Sequence, residues 1–395
     1  MGIESEYRRN SWLFVPLLIL LIISSCSNSP MDIVSEFEKL FDGKFRADEP
    51  GGVILVKKND ETIFLKSYGL ADMTTREAIS PATIFNTGSI SKTFVAYGIL
   101  LLQEAGLLSI DDGLDQYFDN FDHPEIARKV KIRHLLTHTS GLPDSRKVSE
   151  EFEYYLTAKD EENFEPILHT EALKFEPGSQ FDYSNPAFNG LALIIQKVTG
   201  RKWQSFIREK IFERSGMNHS EITDGSFPED GVAHGYIREN DSFTELDYGE
   251  EPTFAAAGNG GVWSSVEDLA RYEAEIQRAG FLNKSLIERS RLVQHPENWN
   301  SEKHPEVGLS WFVAEADHPG NAFDVKIISH TGWQGGFRGF MVSVPEKDLL
   351  YIGLFNRPVP DLSESYNPFT SSGENASDVR IKGLQILRRF DWLEE

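Results

Sequence analysis

At 395 residues, with 40% hydrophobic and 12% aromatic residues, the chain can bury a large core in one big domain or two intermeshed ones, which excludes a disordered or fibrous protein. Its 39 Lys and Arg against 62 Asp and Glu give a formal charge of -23. So acidic a surface repels phosphate backbones and anionic headgroups, which argues against nucleic-acid binding and charge-driven membrane binding.

The N-terminus carries Arg8 and Arg9, then an apolar run from Trp12 to Ile23, then Ser24, Ser25 and Cys26. This order reads as a secretion signal, and the run is shorter than the roughly 20 residues that span a bilayer as a helix. Small residues ahead of the lone cysteine resemble the lipobox of bacterial lipoproteins. The expectation is a signal peptide over residues 1–25 and a lipidated Cys26 that tethers residues 26–395 to a membrane of the cell envelope, facing the periplasm or in the outer membrane. With no other thiol, the chain has no internal disulfide, thiolate metal site or cysteine nucleophile.

Past the signal, Ile33, Val34, Phe37, Leu40 and Phe41 recur at helical spacing and predict an amphipathic helix over Met31 to Asp48. Val53 to Lys58 and Thr62 to Tyr68 predict a hairpin turning at Asn59-Asp60-Glu61. Ile90 to Ala105 predicts a helix buried on most sides and stopped at Gly106, with Ser89 at its N-terminal edge. Residues 107–252 read as a helical, loop-rich insertion, with helices at Ile132 to Leu136, Leu191 to Val198 and Trp203 to Phe212 and an acidic stretch at Ser149 to Glu165. Leu309 to Ala316, Phe323 to Ser329, Phe337 to Val344 and Leu349 to Phe355 predict strands, and a helix through Ile381, Leu384, Leu387 and Phe390 closes the chain. The order is thus helix, hairpin, insertion, strands, helix, and the expected sheet is discontinuous in sequence.

Chemistry concentrates at three places. Ser89 and Lys92, in Ser89-Ile90-Ser91-Lys92, lie three apart on one helical turn, so a neutral lysine amine can take the hydroxyl proton at close range. The helix N-terminus adds partial positive charge and free N–H groups for an oxyanion. In Phe181-Asp182-Tyr183-Ser184-Asn185, the Tyr183 phenol can act as base or proton relay beside a cationic lysine. The Asn185 amide can hold a substrate carbonyl or orient the lysine. In His330-Thr331-Gly332-Trp333, a strand edge with glycine admits a substrate backbone, and the Trp333 N–H joins that of Ser89 as an oxyanion donor.

These elements, in this order, resemble the signature of serine β-lactamases and DD-peptidases: Ser-x-x-Lys, Tyr-x-Asn, then Lys- or His-Thr-Gly. The likeness is greatest to the class C branch with its esterase and peptidase relatives. It extends to Thr83-Ile84-Phe85, to Ile132 through Pro143, and to Gly260-Gly261-Val262-Trp263-Ser264-Ser265 with Asp268-Leu269. It implies an α+β fold, an antiparallel sheet flanked by helices and formed by residues 31–106 and 253–395, and a serine hydrolase that works through an acyl-enzyme on an ester, amide or lactam bond of a small molecule or peptide, with no metal or cofactor. The resemblance assigns catalysis to Ser89, Lys92, Tyr183 and His330, and substrate or oxyanion contacts to Asn185, Thr331, Gly332 and Trp333. His330 stands where β-lactamases of the group carry lysine, and a partly protonated histidine gives no fixed charge for a substrate carboxylate. Esterase or peptidase-like activity is therefore favoured. Arg338 either replaces that charge or faces solvent. His134 and His138, four apart, could meet on one helix face as metal ligands, yet Leu135 stands where a metalloprotease has its glutamate, so the pair reads as satisfied structural histidines. The alternative function is a weakly active lipoprotein that binds peptidoglycan peptides or β-lactams.

Overall fold

The computed structural model describes residues 30–147, 151, 158–222, 228, 231–240, 242–246, 257–294, 305–370 and 376–394. The signal segment, Cys26, the 252/253 boundary and most of the stretch from Ser149 to residue 157 lie outside the described residues.

Ile33, Phe37 and Phe41 form the buried stripe of α1 (Pro30–Phe41). This helix is shorter than its apolar pattern predicts because Gly43 adopts φ +69 and turns the chain out of it. β1 (Gly52–Lys58) and β2 (Glu61–Tyr68) are joined through Asn59 and Asp60, whose φ of 51 and 63 give the left-handed pair that matches strand twist in a tight hairpin. α2 (Ser91–Glu104) is buried along nearly its whole surface. In the insertion, α3 (Asp160–Leu168) packs on α4 (Asn185–Thr199), whose first turn is capped by the Ser184 hydroxyl accepting from the Ala187 N–H at 3.2 Å. α5 (Val266–Arg278) follows, capped in the same way by Ser265.

The C-terminal part supplies β3 (Phe312–Ala314), β4 (Ile327–Gln334), β5 (Phe337–Val344), β6 (Leu349–Phe355) and α6 (Val379–Arg389). Two strands depart from the predicted spans. β3 is cut short by Ser310 at φ 70, and β4 begins only after Asp324 at φ 57, so His330 to Trp333 lie inside β4 and not beyond its end.

The six strands form one antiparallel sheet in the order β2-β1-β6-β5-β4-β3. β1 alternates across it: Val53 and Leu55 join the core under α2 and α5, while Ile54 and Val56 join the core under α1 and α6. β6, covered on both faces, is an unbroken run of buried residues. The insertion stacks on the outer side of α2, where Gly98 lets the side chains of Ile195 and Ile207 close in; a Cβ there would sit 2.8 Å from each. The fold is thus α+β, and Ser89, at the start of α2, lies where sheet and insertion meet.

Candidate active site

Ser89 occupies a single 3-10 turn, Gly88–Ile90, that runs directly into α2. It is partly open to solvent, although both neighbours are buried. Two backbones hold this turn. On one side β4 presses against it: a Cβ on Gly332 would stand 1.8 Å from the Thr87 carbonyl oxygen, and one on Gly88, at φ +51, would stand 2.6 Å from the Trp333 nitrogen. Only glycine permits that approach, and it brings the Trp333 amide beside the serine turn. On the other side, the Thr87 N–H and hydroxyl both donate to the Val262 carbonyl, at 2.9 and 2.8 Å, while the Ser91 hydroxyl accepts from the Val262 N–H at 3.0 Å. Ser91, the second serine of the motif, is a structural clamp.

Lys92 is fully buried, with Nζ 2.9 Å from Ser89 Oγ and donating to the Asn259 carbonyl at 2.7 Å. Burial holds its amine well below the ordinary lysine value, and the Arg146 guanidinium adds in the same direction. Burial acts on Tyr183 the other way: it raises the phenol well above its usual value, against the pull of a side-chain hydrogen bond with Ser89. The site therefore pairs an amine that sheds its proton readily with a phenol that keeps one.

The Tyr183 ring is fixed by stacking. His138 lies 4.2 Å from it at 24° and Tyr366 4.6 Å from it at 11°, which places the two on opposite faces. Tyr366 continues onto Phe312 at 5.6 Å, and Phe312 onto His330 at 5.2 Å. An aromatic column thus runs from the insertion to β4 past the serine. Asn185 is the first residue of α4, directly after the capping Ser184, and is partly buried.

His330 departs from expectation. It is buried, its Nδ1–H donates to the Thr331 carbonyl at 2.7 Å, and burial followed by the charge of Lys92 lowers its pKa to about 3. The imidazole is neutral at physiological pH instead of partly protonated, because a charge there would lie desolvated beside the lysine. Arg338 does not face solvent: its guanidinium lies 4.6 Å over the Trp333 ring, partly buried, and donates to the Gly335 and Phe337 carbonyls. The histidine pair also fails as a metal face. His134 lies in the middle of the helix Ile132–Leu136, its Nδ1 accepting from the Lys131 N–H at 3.1 Å, whereas His138 lies beyond the helix at φ 55 and spends Nδ1 accepting from the Ser184 N–H at 3.0 Å.

Several neighbours carry no sequence signal of their own. Asn259 acts through its backbone, and Tyr366 comes from a polar loop. Arg146 pairs with Asp144 at 2.9 and 2.7 Å while its charge reaches Lys92. His138 sits in the segment Ile132 to Pro143, which the sequence marks as a stretch without marking this ring.

A groove of about 730 Å³ between α1 and α6, lined by Glu36, Lys39, Leu40, Lys382, Ile386 and Arg389, lies across the sheet from Ser89 and shares no residue with this site.

A sequence profile described as Beta-lactamase matches residues 37–370, which include every element of this site. The chain belongs to the beta-lactamase family. Among its relatives, "Penicillin-binding protein 4*" of Bacillus subtilis is 29% identical over 330 residues, 80% of this chain and 70% of that one. "Protein flp" of Staphylococcus aureus is 25% identical over 357 residues, 87% of this chain and 67% of that one. Solved structures of similar fold include the octameric penicillin-binding protein homologue from Pyrococcus abyssi (TM-score 0.71, 24% identity, 90% of this chain and 77% of that one). Another is D-amino acid amidase from Ochrobactrum anthropi (TM-score 0.70, 19% identity, 91% of this chain and 99% of that one). The sheet, the insertion and the serine turn between them are thus the beta-lactamase family's fold.

Proposed function

We propose that the protein is a serine hydrolase that forms an acyl-enzyme on Ser89, with ester or peptide-like amide bonds as its substrates. The observation that carries this reading is the 2.9 Å approach of Ser89 Oγ to a buried amine whose pKa burial depresses. A neutral Lys92 keeps a lone pair for the serine proton, and its N–H bond to the Asn259 carbonyl fixes its orientation. Ser89 Oγ attacks the carbonyl carbon as its proton passes to Lys92, and the resulting oxyanion is held by the N–H groups of Ser89 and Trp333. Tyr183, raised by burial, gives its proton to the leaving group and regains one from Lys92. Asn185 and Thr331 hold the acyl part of the substrate, and water cleaves the ester to release the acid and free Ser89.

The neutral His330 supports neutral esters and amides over carboxylate-bearing β-lactams, since the third motif supplies no fixed positive charge. A lipid on Cys26 would hold this site at a membrane of the cell envelope. Protein lacking residues 1–25, treated with a fluorophosphonate probe and short nitrophenyl esters, is expected to be labelled and to turn over, with both lost in Ser89→Ala. Labelling that persists in Ser89→Ala, or none in the parent protein, rejects the assignment. Nitrocefin on the same samples separates lactam from ester chemistry. Loss of membrane association in full-length Cys26→Ala tests the anchor.

A further inference from the structure

Behind Lys92 lies a carboxylate that belongs to none of the three motifs. Asp160, the first residue of α3, is 4% exposed. Its Oδ1 accepts from the Gly258 N–H at 2.8 Å and from Asn189 Nδ2, on α4, also at 2.8 Å. Its Oδ2 accepts from the Trp203 indole N–H at 2.7 Å. The connection to the site is short. Asn189 Nδ2 also reaches Asn259 Oδ1 at 3.2 Å, and the Asn259 carbonyl receives Lys92 Nζ.

The Asn259 turn needs such an anchor. It reads Gly258-Asn259-Gly260-Gly261, and three glycines in four residues leave the backbone free to take many conformations. Gly258 is pressed onto α4, where a Cβ would lie 2.7 Å from both the Ala192 Cβ and the Phe188 carbonyl oxygen. Its N–H is pinned by Asp160. Burying a carboxylate with only neutral donors is costly, and a neutral amide of the same shape would fill the space at less cost. Charge is the property that an amide lacks: an ionised carboxylate accepts from all three donors at once, whereas an amide turns N–H groups toward donors.

We propose that Asp160 is a positioning residue for Lys92: by holding the Gly258–Asn259 turn, it sets the carbonyl that orients the lysine amine toward Ser89. This rests on the reading of Ser89 as nucleophile and Lys92 as its base. The arrangement is also sensitive to pH. Burial raises the Asp160 carboxyl to about 7, with the bonds from Gly258, Asn189 and Trp203 lowering it and the neighbouring Glu161 charge raising it. Glu161 is the charged group acting on it; Asn189, Trp203 and Gly258 face it as neutral donors. Protonation puts an O–H against one of the three donors and frees the turn, so activity falls as pH drops through this value.

The test uses the rate of fluorophosphonate labelling, which needs Ser89 and no knowledge of the substrate, measured across pH on the protein lacking residues 1–25. Asp160→Asn is expected to label about 10- to 100-fold more slowly at high pH, with the KM for a nitrophenyl ester little changed and the acid inflection near pH 7 gone. Trp203→Phe removes one donor to the ionised form, so its inflection should move to higher pH; this variant decides the matter if Asp160→Asn does not fold. Equal labelling rates per folded molecule, or an inflection unmoved in Trp203→Phe, would make Asp160 structural only and overturn the proposal. A parent protein that takes no label, like Ser89→Ala, instead defeats the hydrolase reading itself.

Discussion

Lys92 and Tyr183 are shifted in opposite directions by the same cause, because desolvation disfavours the charged form of each. The pH profile carries the sign. Lys92 acts when neutral, so in Asp160→Asn, where the carboxyl no longer titrates, labelling of Ser89 should still rise with pH through the depressed lysine value and level off well below 10.5; a rate that climbs until it reaches the ordinary lysine range contradicts the assignment. Lys92→Arg, which keeps a permanent charge, should slow labelling by about 10²- to 10⁴-fold, read at saturating probe. The serine and lysine were legible in the sequence because the helix alone sets their spacing. Asp160 and the Asn259 carbonyl were not. They reach the site across 98 residues, to Gly258, and 167 residues, to Lys92, and neither type of group has a local pattern. The neutral state of His330 is hidden from the sequence for a related reason: burial is a property of the packed sheet, and the triplet alone does not record it.

At the scale of elements, the site depends on β4 closing against the turn before α2. Gly332→Ala places a methyl group 1.8 Å from the Thr87 carbonyl oxygen, and backbone, unlike the end of a flexible side chain, yields little. The variant should keep its circular dichroism spectrum yet label at least about 100-fold more slowly, the cost typical of a lost oxyanion donor. Full labelling would show that the Trp333 amide is not needed. Strand identity was readable from apolar runs, but strand limits were not. β3 and β4 are trimmed at Ser310 and Asp324 by left-handed backbone that these residue types adopt only in context. Helix starts were legible only in part: α2 begins within a residue of its predicted start, whereas α4 begins at Asn185, ahead of the predicted Leu191, because the Ser184 hydroxyl caps a first turn that the apolar run does not include.

Across the whole molecule, buried titratable groups tie stability to pH. His330, lowered from 6.5 to about 3, favours the fold above pH 6.5 and loses that contribution as pH falls toward 3. At about pH 5 the loss is about 2 kcal/mol from this group. His138, also lowered by burial, adds to it, while Asp160, raised from 3.8 to about 7, works the other way as pH falls between those values. Denaturant midpoints should therefore drop between about pH 7 and 5, less steeply in His330→Gln and more steeply in Asp160→Asn. Identical slopes in all three proteins would show that these groups are not buried as described. The sheet was legible as a class, but its closure was not: no local signal reveals that β1 pairs with β6, Gly52 opposite Phe355. That pairing has a consequence for synthesis. A chain halted before Leu349 already contains Ser89, Lys92 and His330, yet its β1 has no partner on one edge and its core lacks a central strand. Such a fragment should be seized by proteases or aggregate rather than work at reduced rate, so that hydrolytic activity appears only in polypeptides whose translation is nearly complete.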